Sequence, residues 1–269
     1  MMKLHFISGL PRAGSTLLAA LLRQNPHFHA GMTGPLSTLF VALQYQMSTA
    51  NEFAMFLDET RKKAILKGVF ENYYTPQRDK VVFDTSRQWC AKMPALAGLF
   101  PDAKVVACVR QVAWIVDSIE RLIQRNAFDM SKIFNNDAGG TVYSRAEGVS
   151  VGGGMVGFAI NALKEAYFGE HAQNLMLLRY ETLTTNPAEA MSAVYDFIGE
   201  KPFAHDFDNV EFDAEEYDAR LGTPGLHRVG RKVQAAPRET ILPPDLFRRY
   251  ENDDFWNDPA LNTRGVRIV

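Results

Sequence analysis

Two cysteines in 269 residues are too few for a disulfide-stapled scaffold, and Cys90 and Cys108 lack the close pairing of a structural zinc site. So thin a thiol content fits a reducing compartment, and the cytoplasm is the expected address. Charge of one sign is missing as well: 29 Lys and Arg stand against 31 Asp and Glu, a net charge of −2. A chain so balanced has no bulk field for gripping a polyanion, which argues against a nucleic-acid binder and makes any anion site a local one. The longest apolar runs, residues 17–22 and 105–109, fall far short of the roughly 20 residues a membrane-spanning helix needs, so no membrane span is expected. Residues 1–8 hold too short an apolar stretch for a signal peptide and run straight into a loop motif, so no export is expected. Nor does a linker rich in Pro, Ser or Gly divide the chain. With 46% hydrophobic residues there is apolar area for one full core, and the expectation is a single domain over 1–269, with a core of about 1–232 and a C-terminal extension over 233–269.

What is present alternates between two periodicities. Residues 4–8 read as a short buried strand, followed by a glycine-bearing turn and a helix over 15–24 that Asn25-Pro26 stops. A second short strand is expected over 27–30, and a long helix over 51–74 with Phe53, Phe56, Leu57, Thr60 and Ala64 on one face. Residues 80–84 read as a buried strand and 95–100 as a helix ended by Pro101-Asp102. The clearest strand, 104–109, leads through Arg110 into a helix over 112–124 whose Ile115, Ile119, Leu122 and Ile123 share a side. A helix over 155–168, a strand over 175–178 and a helix over 187–198 follow, the last opened by Asn186-Pro187 with Glu189 and stopped by Gly199. Residues 136–154, with Gly139-Gly140 and Gly152-Gly153-Gly154, are expected as a long irregular stretch, either a lid or a surface connection. Strands followed by crossover helices imply an α/β fold of three layers, a central parallel sheet flanked by helices.

The first strand turns into its helix through Gly9-Leu10-Pro11-Arg12-Ala13-Gly14-Ser15-Thr16. A strand that turns through glycines into a helix aims several backbone N–H groups and the positive helix end at one spot, which suits a phosphate. The spacing of Gly9 and Gly14 matches the nucleoside-triphosphate loop, yet Ser15 stands where that loop demands lysine. Without the lysine there is no cation for the β- and γ-phosphates, which argues against ATP or GTP hydrolysis. The cation offered instead is Arg12, with hydroxyl donors from Ser15 and Thr16.

Leu10-Pro11-Arg12-Ala13-Gly14-Ser15-Thr16-Leu17 resembles the 5′-phosphosulfate loop of sulfotransferases, and is most similar to that of the tyrosylprotein sulfotransferases and their bacterial relatives. The resemblance implies that Pro11, Arg12, Ala13, Gly14, Ser15 and Thr16 hold the donor. Val109-Arg110 through Ser118 is similar to the family's strand-end arginine and helix serine, which implies a 3′-phosphate site. The chemistry agrees, since arginine gives a charge-assisted fork and serine a hydroxyl on the same side. Arg179-Tyr180-Glu181-Thr182-Leu183 resembles the segment whose tyrosine lines the adenine pocket, here Tyr180. Gly225-Leu226-His227-Arg228-Val229-Gly230-Arg231-Lys232 is similar to the basic loop that closes over the donor, which implies roles for His227, Arg228, Gly230, Arg231 and Lys232. The resemblance runs from the first strand to about Lys232. It implies a P-loop-type fold, 3′-phosphoadenylyl sulfate (PAPS) as donor, adenosine 3′,5′-bisphosphate as product, no metal, and a small-molecule or peptide acceptor; a homodimer is compatible with it.

The resemblance thins at the chemistry. Sulfuryl transfer needs a base for the acceptor proton and a cation for the leaving oxygen. The tyrosylprotein enzymes place a glutamate shortly after the second strand, where Ala30-Gly31-Met32-Thr33-Gly34 holds no carboxylate. Asp84, at the carboxyl end of a strand, is the expected base, with Arg87 and Arg12 as stabilisers; a structural Asp84–Arg87 pair is the competing reading. His27 and His29 are alternative bases, whereas His227, standing where relatives often carry a lysine, is expected to touch the donor without doing chemistry. Two further readings stay open: a P-loop kinase with Asp84 on magnesium, and a nucleotide-binding relative without catalysis. The acidic stretch with Glu211, Asp213, Glu215, Glu216 and Asp218 reads as a solvated surface run or a patch for a basic acceptor.

Overall fold

The computed structural model describes residues 2–48, 52–128, 140–235 and 237–269. The chain begins with β1 (Lys3–Gly9), α1 (Ser15–Leu22), β2 (Phe28–Ala30) and α2 (Leu36–Gln46). It continues through α3 (Glu59–Tyr73), β3 (Val81–Thr85), α4 (Met93–Leu99), β4 (Val105–Val109), α5 (Val112–Arg125), α6 (Val142–Ser150) and α7 (Met155–Phe168). Last come β5 (Leu175–Arg179), α8 (Tyr180–Thr185), α9 (Pro187–Ile198), α10 (Glu215–Arg220), α11 (Pro244–Tyr250) and β6 (Arg267–Ile268).

Six parallel strands stand in the order β2-β3-β1-β4-β5-β6, with helices on both faces. This is the expected three-layer α/β fold of P-loop type. The central strands are apolar on both sides because both faces are covered: all five residues of β4 are buried, as are the six of β1 after Lys3. The strand order turns outward in both directions from β1, through β3 on one side and β4 on the other. That divergence opens a crevice at the carboxyl ends of the three strands, where a doubly wound sheet receives its ligand. Among the described residues no helix is long and apolar enough to cross a membrane.

Several expectations need correcting. In place of one helix over 51–74 there is a 3₁₀ turn (Glu52–Phe56) and then α3, because the Asp58 carboxylate accepts the Arg61 N–H at 2.8 Å and starts a new helix there. Phe53, Phe56, Thr60 and Ala64 are exposed; α3 buries Leu66 and Phe70 instead. The stretch 136–154 is not wholly irregular, since the Thr141–Ser144 capping box starts α6 within it; positions 136–139 lie outside the described residues. Tyr180 opens a short helix that sequence periodicity did not suggest. Residues 233–269 are integral to the packing: Phe247 of α11 meets Trp114 of α5 edge-on at 5.2 Å, β6 pairs with β5, and Leu242, Tyr250, Trp256 and Val266 join the main core.

Candidate functional site

The turn after β1 is built by backbone constraint. Gly9 has φ +100°, and a Cβ there would lie 2.2 Å from the Cys108 carbonyl oxygen of β4, so the close strand approach demands glycine. Gly14, at φ +96°, packs against the Tyr180 ring, which a Cβ would meet at 3.1 Å. Between them Arg12 takes a left-handed φ of +58°, the one non-glycine residue with positive φ among the described residues. The turn delivers the chain into the first turn of α1, with the N–H groups and hydroxyls of Ser15 and Thr16 at the crevice.

Three cations gather around this turn from distant parts of the chain. The Arg12 Nε donates to the Ser118 hydroxyl at 3.1 Å, and its Nη1 to the Leu226 carbonyl. Arg110 follows β4 directly; its guanidinium stacks on the Tyr180 ring at 4.1 Å, and its Nη1 points to the Arg12 carbonyl at 3.4 Å. The Arg110 Nε is buried with no hydrogen-bond partner among the described residues. Arg238 is the third, paired with the buried Asp117 at 2.7 Å. Burial and then the neighbouring Arg110 draw the Arg12 pKa down to about 10, and burial lowers that of Arg110. Both stay charged near neutral pH, so the site holds crowded positive charge and an unused donor, an arrangement that a bound polyanion relieves.

These groups border a cleft of about 900 Å³. Of the expected donor residues, Pro11, Arg12, Gly14, Ser15, Thr16, Arg110, Ser118, Tyr180, His227, Arg228, Gly230 and Lys232 line it, as does Arg87. Ala13 does not: it is fully buried behind the loop. Arg231 turns away, its guanidinium on the Asn209 side-chain oxygen at 2.8 Å, and Lys232, though on the rim, pairs with Asp208 at 2.8 Å.

The expected base is misplaced. Asp84 is sealed at 1% exposure beneath the cleft, one oxygen accepting from the Tyr74 hydroxyl at 2.6 Å and the other from the Trp89 indole N–H at 2.7 Å. Burial pushes its pKa up against those two donors. Gly34 stands over it, a Cβ there lying 3.3 Å from Oδ2, so Asp84 does not reach the cleft, and its oxygens are engaged by Tyr74 and Trp89 rather than Arg87. His29 lies edge-on to the Tyr74 ring at 5.7 Å and His27 is exposed at the far end of β2; neither lines the cleft.

Sequence reasoning missed the opposite wall. Asp218, read as part of a solvated acidic run, is 2% exposed and accepts both the His227 backbone N–H at 2.8 Å and the His227 Nδ1 at 2.5 Å. Tyr217, Leu226 and Arg238 also face the cleft. No local pattern signals these, since each depends on how the segment beyond α9 folds back over the sheet. No cluster of side chains among the described residues is arranged to hold a metal.

The model of a sulfotransferase family matches residues 5–204. Among solved structures, the sulfotransferase domain from the curacin biosynthetic pathway superposes with a TM-score of 0.58 at 16% identity, over 93% of this chain and 95% of that one. Two others are less alike in shape: the sulfotransferase domain from the Synechococcus PCC 7002 olefin synthase (TM-score 0.45, 17% identity, 93% and 88% covered) and the sulfotransferase from Alicyclobacillus acidocaldarius (0.48, 14%, 82% and 91%). No curated protein sequence matches the chain. The family match spans the phosphate loop, Arg110, Ser118 and Tyr180 alike, and on it the chain belongs to the sulfotransferase family.

Proposed function

We propose that the chain moves a sulfuryl group from 3′-phosphoadenylyl sulfate to a hydroxyl or amine acceptor by in-line displacement. The observation that carries this is the convergence of Arg110, Ser118 and Arg12 beside a phosphate turn that lacks lysine: two anion-holding places in one cleft, one at the turn and one at the strand end. A donor with a 5′-phosphosulfate and a 3′-phosphate uses both. The turn N–H groups with Ser15 and Thr16 take the 5′ end, Arg110 and Ser118 the 3′-phosphate, and Tyr180 the adenine side. Arg228, Gly230 and Lys232 close the cleft from above. Arg12 and Arg87 stabilise the charge that builds on the leaving oxygen, a cationic role that asks for no metal. The buried thiols Cys90 and Cys108, with pKa values pushed up to about 11 and about 12, suit a reducing cytoplasm. A kinase reading fits less well, because the aspartate it would place on magnesium is sealed between Tyr74 and Trp89.

Thermal unfolding with adenosine 3′,5′-bisphosphate against Mg-ATP tests the reading. A ligand at 100 times its Kd adds about 2.7 kcal/mol, which for a chain of this size raises Tm by roughly 5–10 °C. The bisphosphate is expected to give that rise and Arg110→Ala to remove it. Stabilisation by Mg-ATP alone overturns the proposal.

A further inference from the structure

We infer that His227, oriented by Asp218, is the general base that takes the acceptor's proton; the inference rests on the sulfuryl-transfer reading above. The cleft must contain a group that accepts a proton near neutral pH. Among the described residues that line it there is no aspartate or glutamate, and His227 is the sole histidine. Arginines, a lysine, hydroxyls, tyrosines and the Gln88 and Gln234 amides make up the rest of its ionisable or polar lining, none of them a base at that pH.

The surroundings of His227 prepare it for that work. Asp218 is sealed at 2% exposure and holds the residue twice, through the backbone N–H at 2.8 Å and through Nδ1 at 2.5 Å. A carboxylate that accepts from Nδ1 places the proton there and leaves the lone pair on Nε2, the second ring nitrogen. Tyr217 packs across the ring at 5.6 Å, limiting its rotation. The preceding residue, Leu226, gives its carbonyl to the Arg12 guanidinium, so the base and the cation of the phosphate turn are fastened to each other. Asp218 is a positioning residue; it also offsets the positive charge that His227 acquires.

As the acceptor oxygen bonds to sulfur, its proton passes to Nε2. The bond from sulfur to the 5′-phosphate oxygen breaks, and its electron pair leaves with adenosine 3′,5′-bisphosphate. The resulting imidazolium, held against Asp218, returns its proton to water. A positioned base contributes about 10²–10⁴-fold to such a step.

Two measurements test this. Nitrogen-15 NMR of the wild-type protein is expected to show His227 protonated at Nδ1, and mixed tautomers in Asp218→Asn; a wild-type ring protonated at Nε2 overturns the inference. Turnover of 3′-phosphoadenylyl sulfate is then followed with phenol, 1-butanol, benzylamine and water as acceptors. His227→Gln is expected to lose about 10²–10⁴-fold while the bisphosphate still raises its Tm, and His227→Gly to regain part of the loss with added imidazole. Asp218→Asn should lose about 10–100-fold. Undiminished turnover in His227→Gln overturns the base and leaves the sulfuryl-transfer reading standing. A wild-type protein that binds the bisphosphate yet transfers to none of these acceptors overturns both.

Discussion

The floor and the roof of the cleft are built on different principles. The floor is made of strand ends: Gly9 closes β1, Asp84 belongs to β3 and Arg110 follows β4, each placed by the parallel ladder beneath it. The roof, residues 217–235 with Arg238, carries the end of the short helix α10 and is held by side chains: Asp218 on His227, Arg238 on Asp117, Arg12 on the Leu226 carbonyl. A buried carboxylate occurs in each, with opposite consequences. Asp84 spends both oxygens on Tyr74 and Trp89 and is shut away; Asp218 spends its oxygens on a histidine that faces the cleft. Burial depth alone therefore does not mark a functional carboxylate. What it is bonded to, and whether that partner lines the cleft, decides.

Substitutions at matched positions sharpen the contrast. The largest effect is expected at Gly9→Ala, where the added carbon meets β4 backbone at 2.2 Å and φ is +100°. Neither strand can move aside without breaking the central ladder, and a loss above about 4 kcal/mol should leave little folded protein. The roof's Gly225 has φ +83° with nothing within 4 Å of a Cβ, so Gly225→Ala should cost only about 1–2 kcal/mol. Urea unfolding of the two variants compares them directly; equal losses would erase the distinction between a ladder-fixed floor and a side-chain-fixed roof.

Next comes Asp84→Ala. Leaving a tyrosine hydroxyl and an indole N–H buried and unpaired is expected to cost about 3 kcal/mol, or roughly 6–12 °C in Tm. The bisphosphate Kd of the folded variant, measured by calorimetry, should stay within about twofold of wild type. A large change in Kd with little change in Tm would return Asp84 to the site. The smallest effect belongs to Arg238→Ala. Its guanidinium is partly exposed and shares Asp117 with Arg121, so bisphosphate affinity is expected to fall about 3–10-fold, against about 100-fold for Arg110→Ala, whose cation sits at the strand end with an unused donor. Raising the salt concentration should shrink the Arg238 effect more than the Arg110 effect.

The floor was legible because its signals are local. Strand periodicity, the Gly9 to Gly14 spacing and the missing lysine at Ser15 lie within one short segment, and the Arg110 to Ser118 spacing lies within one strand-to-helix step. The proposed base was not legible by the same means. Asp84 stands at the carboxyl end of its strand, as a catalytic group would, but side chains alternate between the two sides of a strand, and this one turns into an aromatic pocket. Asp218 sits in a run of acids and reads as solvent-facing, since no nearby residue shows that the chain folds it beneath His227. Tyr180 lines the cleft, and its helix escaped the sequence pattern because its ring contacts Arg110 and Gly14 across the fold rather than along its own segment.

By itself the sequence determined the strand and helix alternation, the glycine turn with serine in the lysine position, and the spacing of Arg110 and Ser118 across one strand-to-helix step, because each follows from residues close together along the chain. Only the tertiary structure decided which buried carboxylate holds a cleft residue and which is sealed away from one, that the C-terminal segment completes the sheet, and that Arg12 joins turn, helix and roof. Arg12 finds Ser118 and Leu226 at separations of 106 and 214 positions, and even the nearby partners of Asp84 and Asp218 are chosen by how the segments pack, a direction that a chain's local pattern does not specify.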